Sequence, residues 1–117
     1  MVLKNVTYFP LAMSLSCHIL DTTNGLPARG VECVLKDNLG NVLGTGRTNN
    51  DGRIRWEGIT LSIGVYELLF QTAEYFTDAG RSTFFPHVSI AFQVTDSSHY
   101  HIPLLLSNYG YSTYRGS

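Results

Sequence analysis

Between residues 12 and 116, apolar and polar side chains alternate with a period of two, interrupted at short intervals by Gly, Asn, Asp and Pro. This predicts half-buried β-strands joined by tight turns, because successive strand side chains point to opposite faces. Residues 12–20 place Met13, Leu15, Cys17 and Ile19 on one face, with Ser14, Ser16 and His18 on the other. Residues 31–37 repeat the pattern with Val31, Cys33 and Leu35, and further strands are expected at 42–48 and, briefly, at Arg53–Trp56. Tyr66, Leu68 and Phe70 share a face in 65–71, as do Val88, Ile90, Phe92 and Val94 in 87–94. Residues 99–106 set Tyr100, Ile102, Leu104 and Leu106 inward, and 110–116 alternates Tyr111, Thr113 and Arg115 with Ser112 and Tyr114. Turns are signalled by Asn24-Gly25 and Pro27 within a loop at 21–30, by Asp37 to Asn41, and by Asn49-Asn50-Asp51-Gly52. Residues 72–79 break the β pattern and read as one short helix, capped by Thr72 and ended by Gly80. Eight short strands and one helix give an all-β sandwich or barrel.

The strand faces turned away from the core are unusual. His18 stands opposite Leu15, Cys17 and Ile19, and His101 opposite Tyr100, Ile102 and Leu104. Beside His101 the outer face is apolar, with Pro103 and Leu105, which fits a subunit interface or groove better than bulk solvent. Two imidazoles in such a groove suit general acid–base chemistry near neutral pH. An ordinary solvated pair of histidines is the competing reading. His99 and His101, two apart on one strand, could join His18 as metal ligands, but no carboxylate or cysteine completes a set, so no metal is assigned. His87, after Phe85-Pro86, reads as a surface residue. Arg53 follows the Asp51-Gly52 turn, which aims it at a strand edge as a planar donor or leaves it solvated.

Composition narrows the classes. The 117 residues suffice for one core, read as a domain over 11–117 after a loose arm at 1–10. A net charge of −1 offers no field for nucleic acid or acidic membranes, and no apolar run approaches membrane-spanning length. Cys17 and Cys33 fall within alternating patterns and are expected as buried thiols. Leu15-Ser16-Cys17 with Lys4 upstream has the look of a lipoprotein signal, but Asn5, Thr7 and Pro10 interrupt the apolar region and cleavage there would destroy the first strand. The Asn5-Val6-Thr7 sequon is read as chance. Cytoplasm is the default location, with the peroxisome or periplasm open to a longer chain. No phosphate loop, nucleophile elbow or Ser-His-Asp ordering is present, so hydrolysis, if any, would use activated water. The terminal run Tyr109-Gly110-Tyr111-Ser112-Thr113-Tyr114-Arg115-Gly116-Ser117 is too aromatic for a frayed end and is expected to dock as a strand.

Together these residues resemble the transthyretin-like family, and within it the 5-hydroxyisourate hydrolases. The resemblance is carried by Cys17-His18-Ile19-Leu20-Asp21, Gly25-Leu26-Pro27-Ala28, Thr48 to Arg53, Phe84-Phe85-Pro86-His87-Val88, His99 to Ser107 and the closing Tyr114-Arg115-Gly116-Ser117. It spans about residues 12–117. It implies a two-sheet, eight-stranded sandwich with one short helix, assembled as a homotetramer (a dimer of dimers) around a channel. It implies His18, Arg53 and His101 as catalytic residues, and Ser112, Tyr114, Arg115, Gly116 and Ser117 as substrate-binding. Ser16, Pro103 and Leu105 would line the channel. The implied reaction is hydrolytic opening of the six-membered ring of 5-hydroxyisourate, without metal or organic cofactor. The related hormone carriers hold Lys, Glu and Thr where His18, Arg53 and His101 stand, and lack the Tyr-Arg-Gly-Ser ending. A small-molecule carrier is the alternative function.

Overall fold

In the computed structural model of the chain, residues 11–117 are described, with side chains from Ser14 onward. The arm expected at 1–10 and the inward side chain expected at Met13 lie outside the described residues. All eight expected strands form, with a ninth of two residues. In chain order these are β1 (Leu11–Asp21), β2 (Leu26–Pro27), β3 (Glu32–Asp37), β4 (Val42–Arg47), β5 (Arg53–Leu61), β6 (Gly64–Phe70), helix α1 (Thr72–Asp78), β7 (Val88–Val94), β8 (Tyr100–Ser107) and β9 (Gly110–Thr113). One sheet runs β2-β1-β8-β9, with β5 also paired to β1, and the other runs β4-β3-β6-β7.

The two sheets close on the faces that alternation assigned to the core. Leu15, Cys17, Ile19, Cys33, Leu35, Leu68, Phe70, Val88, Val94 and Leu104 are wholly buried, and Phe92 packs partly buried against them. Cys17 and Cys33 meet in this core as free thiols. The hydrogen bond that its S–H makes to Cys17, and then burial, push the Cys33 thiol far up, which makes it a poor nucleophile.

The pattern failed at three places, each for a local reason. Strand β5 continues to Leu61 where only Arg53–Trp56 was expected. Its partner β1 shifts register between Met13 and Leu15, and this irregularity lets the pairing resume at Met13↔Ile59. Strand β2 sits inside the expected loop, because the turn after Asp21 brings Leu26 and Pro27 back against Asp21 and Leu20. The last strand ends at Thr113 rather than at residue 116, and Gly116 then makes a single bridge to His101. The helix has the expected place, but Gln71 rather than Thr72 is its N-cap, with no side-chain capping bond. Thr72 is instead buried, its hydroxyl donating to the Phe85 carbonyl at 3.2 Å. That bond ties the helix to the segment entering β7.

Candidate active site

Strand β1 is the centre of the site because it pairs on both sides. Antiparallel pairing with β5 sets His18 opposite Arg53 and Ser16 opposite Arg55. Parallel pairing with β8 sets Ser16 opposite His101 and His18 opposite Pro103. Partners directly across a ladder share a face. His18, Arg53, Ser16, His101 and Pro103, widely separated in sequence, therefore converge on the outer face of one sheet.

The turn before Arg53 fixes that residue in place. The Asn49 side-chain carbonyl accepts from the backbone N–H groups of Asp51 (2.9 Å) and Arg53 (3.0 Å). Gly52 adopts φ +73°, and a Cβ there would lie 2.6 Å from the Ile19 carbonyl oxygen. Only glycine fits both the backbone angle and the close approach. The Ile19 N–H donates to the Gly52 carbonyl at 2.8 Å, so the turn lies directly against β1.

The tail closes over the other end of the face. Gly116 donates its N–H to the His101 carbonyl at 2.8 Å. A Cβ on Gly116 would stand 2.4 Å from His101 Cδ2 and 3.1 Å from Pro103 Cγ. The bare glycine backbone thus packs against the imidazole, and Pro103 beneath it is buried. The Arg115 guanidinium does not join the imidazoles. It lies 4.4 Å from the Tyr100 ring centroid, on the opposite side of β8, and donates to the Ser98 hydroxyl at 3.2 Å. Tyr114, Ser117 and Ser112 are exposed, Ser112 pairing with half-buried Leu105. His87 is exposed, as expected.

Charge and burial tune both imidazoles the same way. Burial lowers the His18 pKa, the Arg53 charge lowers it further, and the Asp51 backbone and carboxylate oppose this only in part. Burial also lowers His101, followed by the charges of Arg53, His18 and His99. Both rings are therefore neutral at pH 7 and able to accept a proton. Ser16, only 8% exposed, bonds His101 Nδ1 at 2.7 Å, leaving Nε2 as the unengaged ring nitrogen. No ion pair engages Arg53 among the described residues. Nor do the described residues contain a group of three or more His, Cys, Asp or Glu placed to hold a metal.

Sequence reasoning missed two features. One is the pair Ser14 and His99, whose ring and hydroxyl continue the chain that starts at Ser16. The only sequence signal was the shared parity of residues 14, 16, 99 and 101. The other is the setting of Asp21, which is wholly buried at the end of β1. It accepts from Arg81 at 2.5 Å and from the Tyr75 hydroxyl at 2.7 Å.

Beside the site, a groove of about 300 Å³ between β7 and β8–β9 includes His101, Tyr114 and Arg115 but neither His18 nor Arg53. The face bearing His18, Arg53 and His101 is thus an open surface on a single chain.

Comparison with known proteins identifies the fold and the family. A 5-hydroxyisourate hydrolase of Salmonella dublin is 50% identical over 109 residues, covering 88% of this chain and 80% of that protein. The solved structure of Klebsiella pneumoniae 5-hydroxyisourate hydrolase is similar with a TM-score of 0.82 and 41% identity, over 89% of this chain and 99% of that one. Sea bream transthyretin in complex with thyroxine gives a TM-score of 0.79 and 31% identity, over 87% of this chain and 93% of that one. Residues 15–116 match the HIUase/Transthyretin family over nearly the whole described fold, and the chain belongs to that family.

Proposed function

We infer that this protein is a hydrolase of urate catabolism. It converts 5-hydroxyisourate to 2-oxo-4-hydroxy-4-carboxy-5-ureidoimidazoline by water attack on the six-membered ring amide. The observation that carries the reading is the meeting of two neutral imidazoles and one arginine without an ion-pair partner on a single sheet face, in a chain 50% identical to a hydrolase of that name. Such a face suits a polar, carbonyl-rich heterocycle. The thyroxine-bound transthyretin shares the fold at lower identity, which makes a carrier function the weaker reading.

Each residue then has a role that follows from its surroundings. His101 is the general base: Ser16 holds Nδ1 and Gly116 packs against the ring, so Nε2 remains to take a proton from water. His18, opposite Arg53 in the ladder, orients the same water or the substrate. Arg53 supplies a planar cation for the oxyanion that develops as the carbonyl becomes tetrahedral. Tyr114, Ser112 and Ser117 contact substrate from the exposed tail. Arg115, stacked on Tyr100, anchors that tail and so holds Gly116 on His101.

The assembly is proposed to be a homotetramer in which two such faces oppose each other. An open face leaves the reacting carbonyl in bulk water, whereas two facing sheets make a pocket that excludes it. Leu105→Glu at the rim of this face is expected to separate the opposed pairs and abolish turnover, while circular dichroism shows the sandwich intact. A dissociated variant that still turns over would remove the proposal.

The activity itself is tested by generating 5-hydroxyisourate with urate oxidase and following its ultraviolet decay. Decay faster than the spontaneous reaction, and lost in His101→Asn, is expected. A rate equal to the spontaneous one from the folded protein would overturn the hydrolase reading.

A further inference from the structure

Behind His101 runs an uninterrupted chain of hydroxyl and imidazole groups. The Ser14 hydroxyl lies 2.6 Å from His99 Nδ1, His99 Nε2 lies 3.0 Å from the Ser16 hydroxyl, and the Ser16 hydroxyl lies 2.7 Å from His101 Nδ1. The two rings are near parallel, with 16° between planes and centroids 6.4 Å apart. The arrangement follows from the fold. Ser14 and Ser16 share the outer face of β1, His99 and His101 have the same parity at the start of β8, and parallel pairing sets Ser16 beside His101. Along this chain His101 Nε2 is the only ring nitrogen left unengaged.

When both rings are neutral, each carrying one N–H and each serine one O–H, two arrangements run in a single direction along the whole chain. In the first, His101 Nδ1–H donates to Ser16, Ser16 donates to His99 Nε2, and His99 Nδ1–H donates to Ser14. Nε2 of His101 is then a bare base. In the second every bond is reversed, and His101 Nε2 carries a proton as an acid. The two differ by one proton passed along the chain.

We propose that Ser14, His99 and Ser16 relay protons to and from His101, letting this single imidazole serve first as base and then as acid, with Ser16 and His99 as positioning residues for the hydrolysis. This rests on the assignment of His101 as base. The need for a relay comes from the surroundings of the ring. Burial acts first against a cation on His101, and the charges of Arg53, His18 and His99 add to the penalty, so a lasting imidazolium there is costly. The charge of His99 reaches the exposed Glu57 carboxylate, which is paired with Arg55. The Glu57 carboxyl is held low by the hydrogen bond and charge of Arg55, and in smaller part by the charge of His99. The half-buried Ser14 gives the outer end of the relay a route to water.

The cycle balances. As water's oxygen bonds the ring carbonyl, His101 Nε2 takes one water proton. The Nδ1 proton moves to Ser16, that of Ser16 to His99 Nε2, that of His99 Nδ1 to Ser14, and one proton leaves from Ser14 to solvent. When the ring C–N bond breaks, His101 Nε2–H protonates the departing nitrogen. The chain then shifts back, drawing one proton in at Ser14. The new carboxylic acid loses its own proton to water, and the chain ends as it began.

The test is a proton inventory: single-turnover rates in H2O–D2O mixtures for the wild type, Ser16→Thr, Ser16→Ala, His99→Gln and His101→Asn, with fold and oligomer checked for each. The wild type and Ser16→Thr, which keeps the hydroxyl, should give curved inventories because several protons move together. Ser16→Ala and His99→Gln should slow the step about tenfold or more, with KM within about threefold and the inventory straightened. Full activity in these two variants, slowing with the curvature retained, or a straight wild-type inventory would each overturn the relay. Activity retained in His101→Asn would instead remove the base assignment on which it rests.

Discussion

Two arginines divide the labour of this domain. Arg81 is held by several partners: it bonds wholly buried Asp21 at 2.5 Å and the Asn108 side-chain oxygen at 2.5 Å, and lies 4.9 Å from the Phe76 ring centroid. Around Asp21, Tyr75 adds a second side-chain donor, and burial and then the bond to Asp21 push its hydroxyl up to about 12. Burial tends to raise the Asp21 pKa, but the bonds from Arg81, Tyr75 and the Asn24 backbone outweigh it and hold the carboxyl below its usual range. The Arg53 side chain has none of this among the described residues, and it faces two imidazoles that its charge, after burial, helps keep neutral. A polar group held by several partners ties elements together, here β1, the helix and the β8–β9 turn. One left with unused donors is available to a ligand.

Breaking each cluster should therefore give opposite signatures. The largest effect is expected from His101→Asn and His18→Asn, each lowering kcat about 10²–10⁴-fold with the melting temperature little changed. Losses under about tenfold for both would end the acid–base account. Asp21→Asn should do the reverse, costing about 3–5 kcal/mol in denaturant unfolding by leaving Arg81 unpaired, while the folded fraction keeps its kcat. The sign of its pH dependence is set by the depressed carboxyl. The wild-type advantage is present above the unfolded value of 3.8 and is lost as pH falls through the lower folded value.

Gly116→Ala sharpens the comparison within the site. The added Cβ must displace either the His101 ring or the tail, and a misplacement of that size is expected to cost about 10²-fold in kcat with stability nearly unchanged. The smallest effect is the pH profile. Because both imidazoles sit below 6.5, kcat/KM should stay level from neutral pH down past 6.5 and fall only at lower pH, as the bases protonate. A decline beginning above pH 7 would show that burial and the charge of Arg53 do not hold the rings below 6.5.

The candidate site was partly legible in advance. Alternation alone turned His18 and His101 away from the core, and the Asn49–Gly52 turn marked Arg53. It could not foresee that Arg115 would stack on Tyr100, because the strand expected through residue 116 stops at Thr113. Nor could it explain Gly116, whose small size matters only because His101, fifteen positions earlier, comes to lie against it.

What the sequence by itself determined is the inward face of the strands whose alternation is clear. Strand geometry has a period of two, and one apolar face must be buried, so Leu15, Cys17, Leu68 and Leu104 could only point inward. What only the tertiary structure decided is which outward residues meet. The parallel pairing of β1 with β8 sets Ser16 beside His101 across 85 positions, and the packing of α1 sets Arg81 on Asp21 across 60. Such contacts depend on strand order, register and the close fit of two sheets. These arise from the collective burial of the core rather than from any local run of residues.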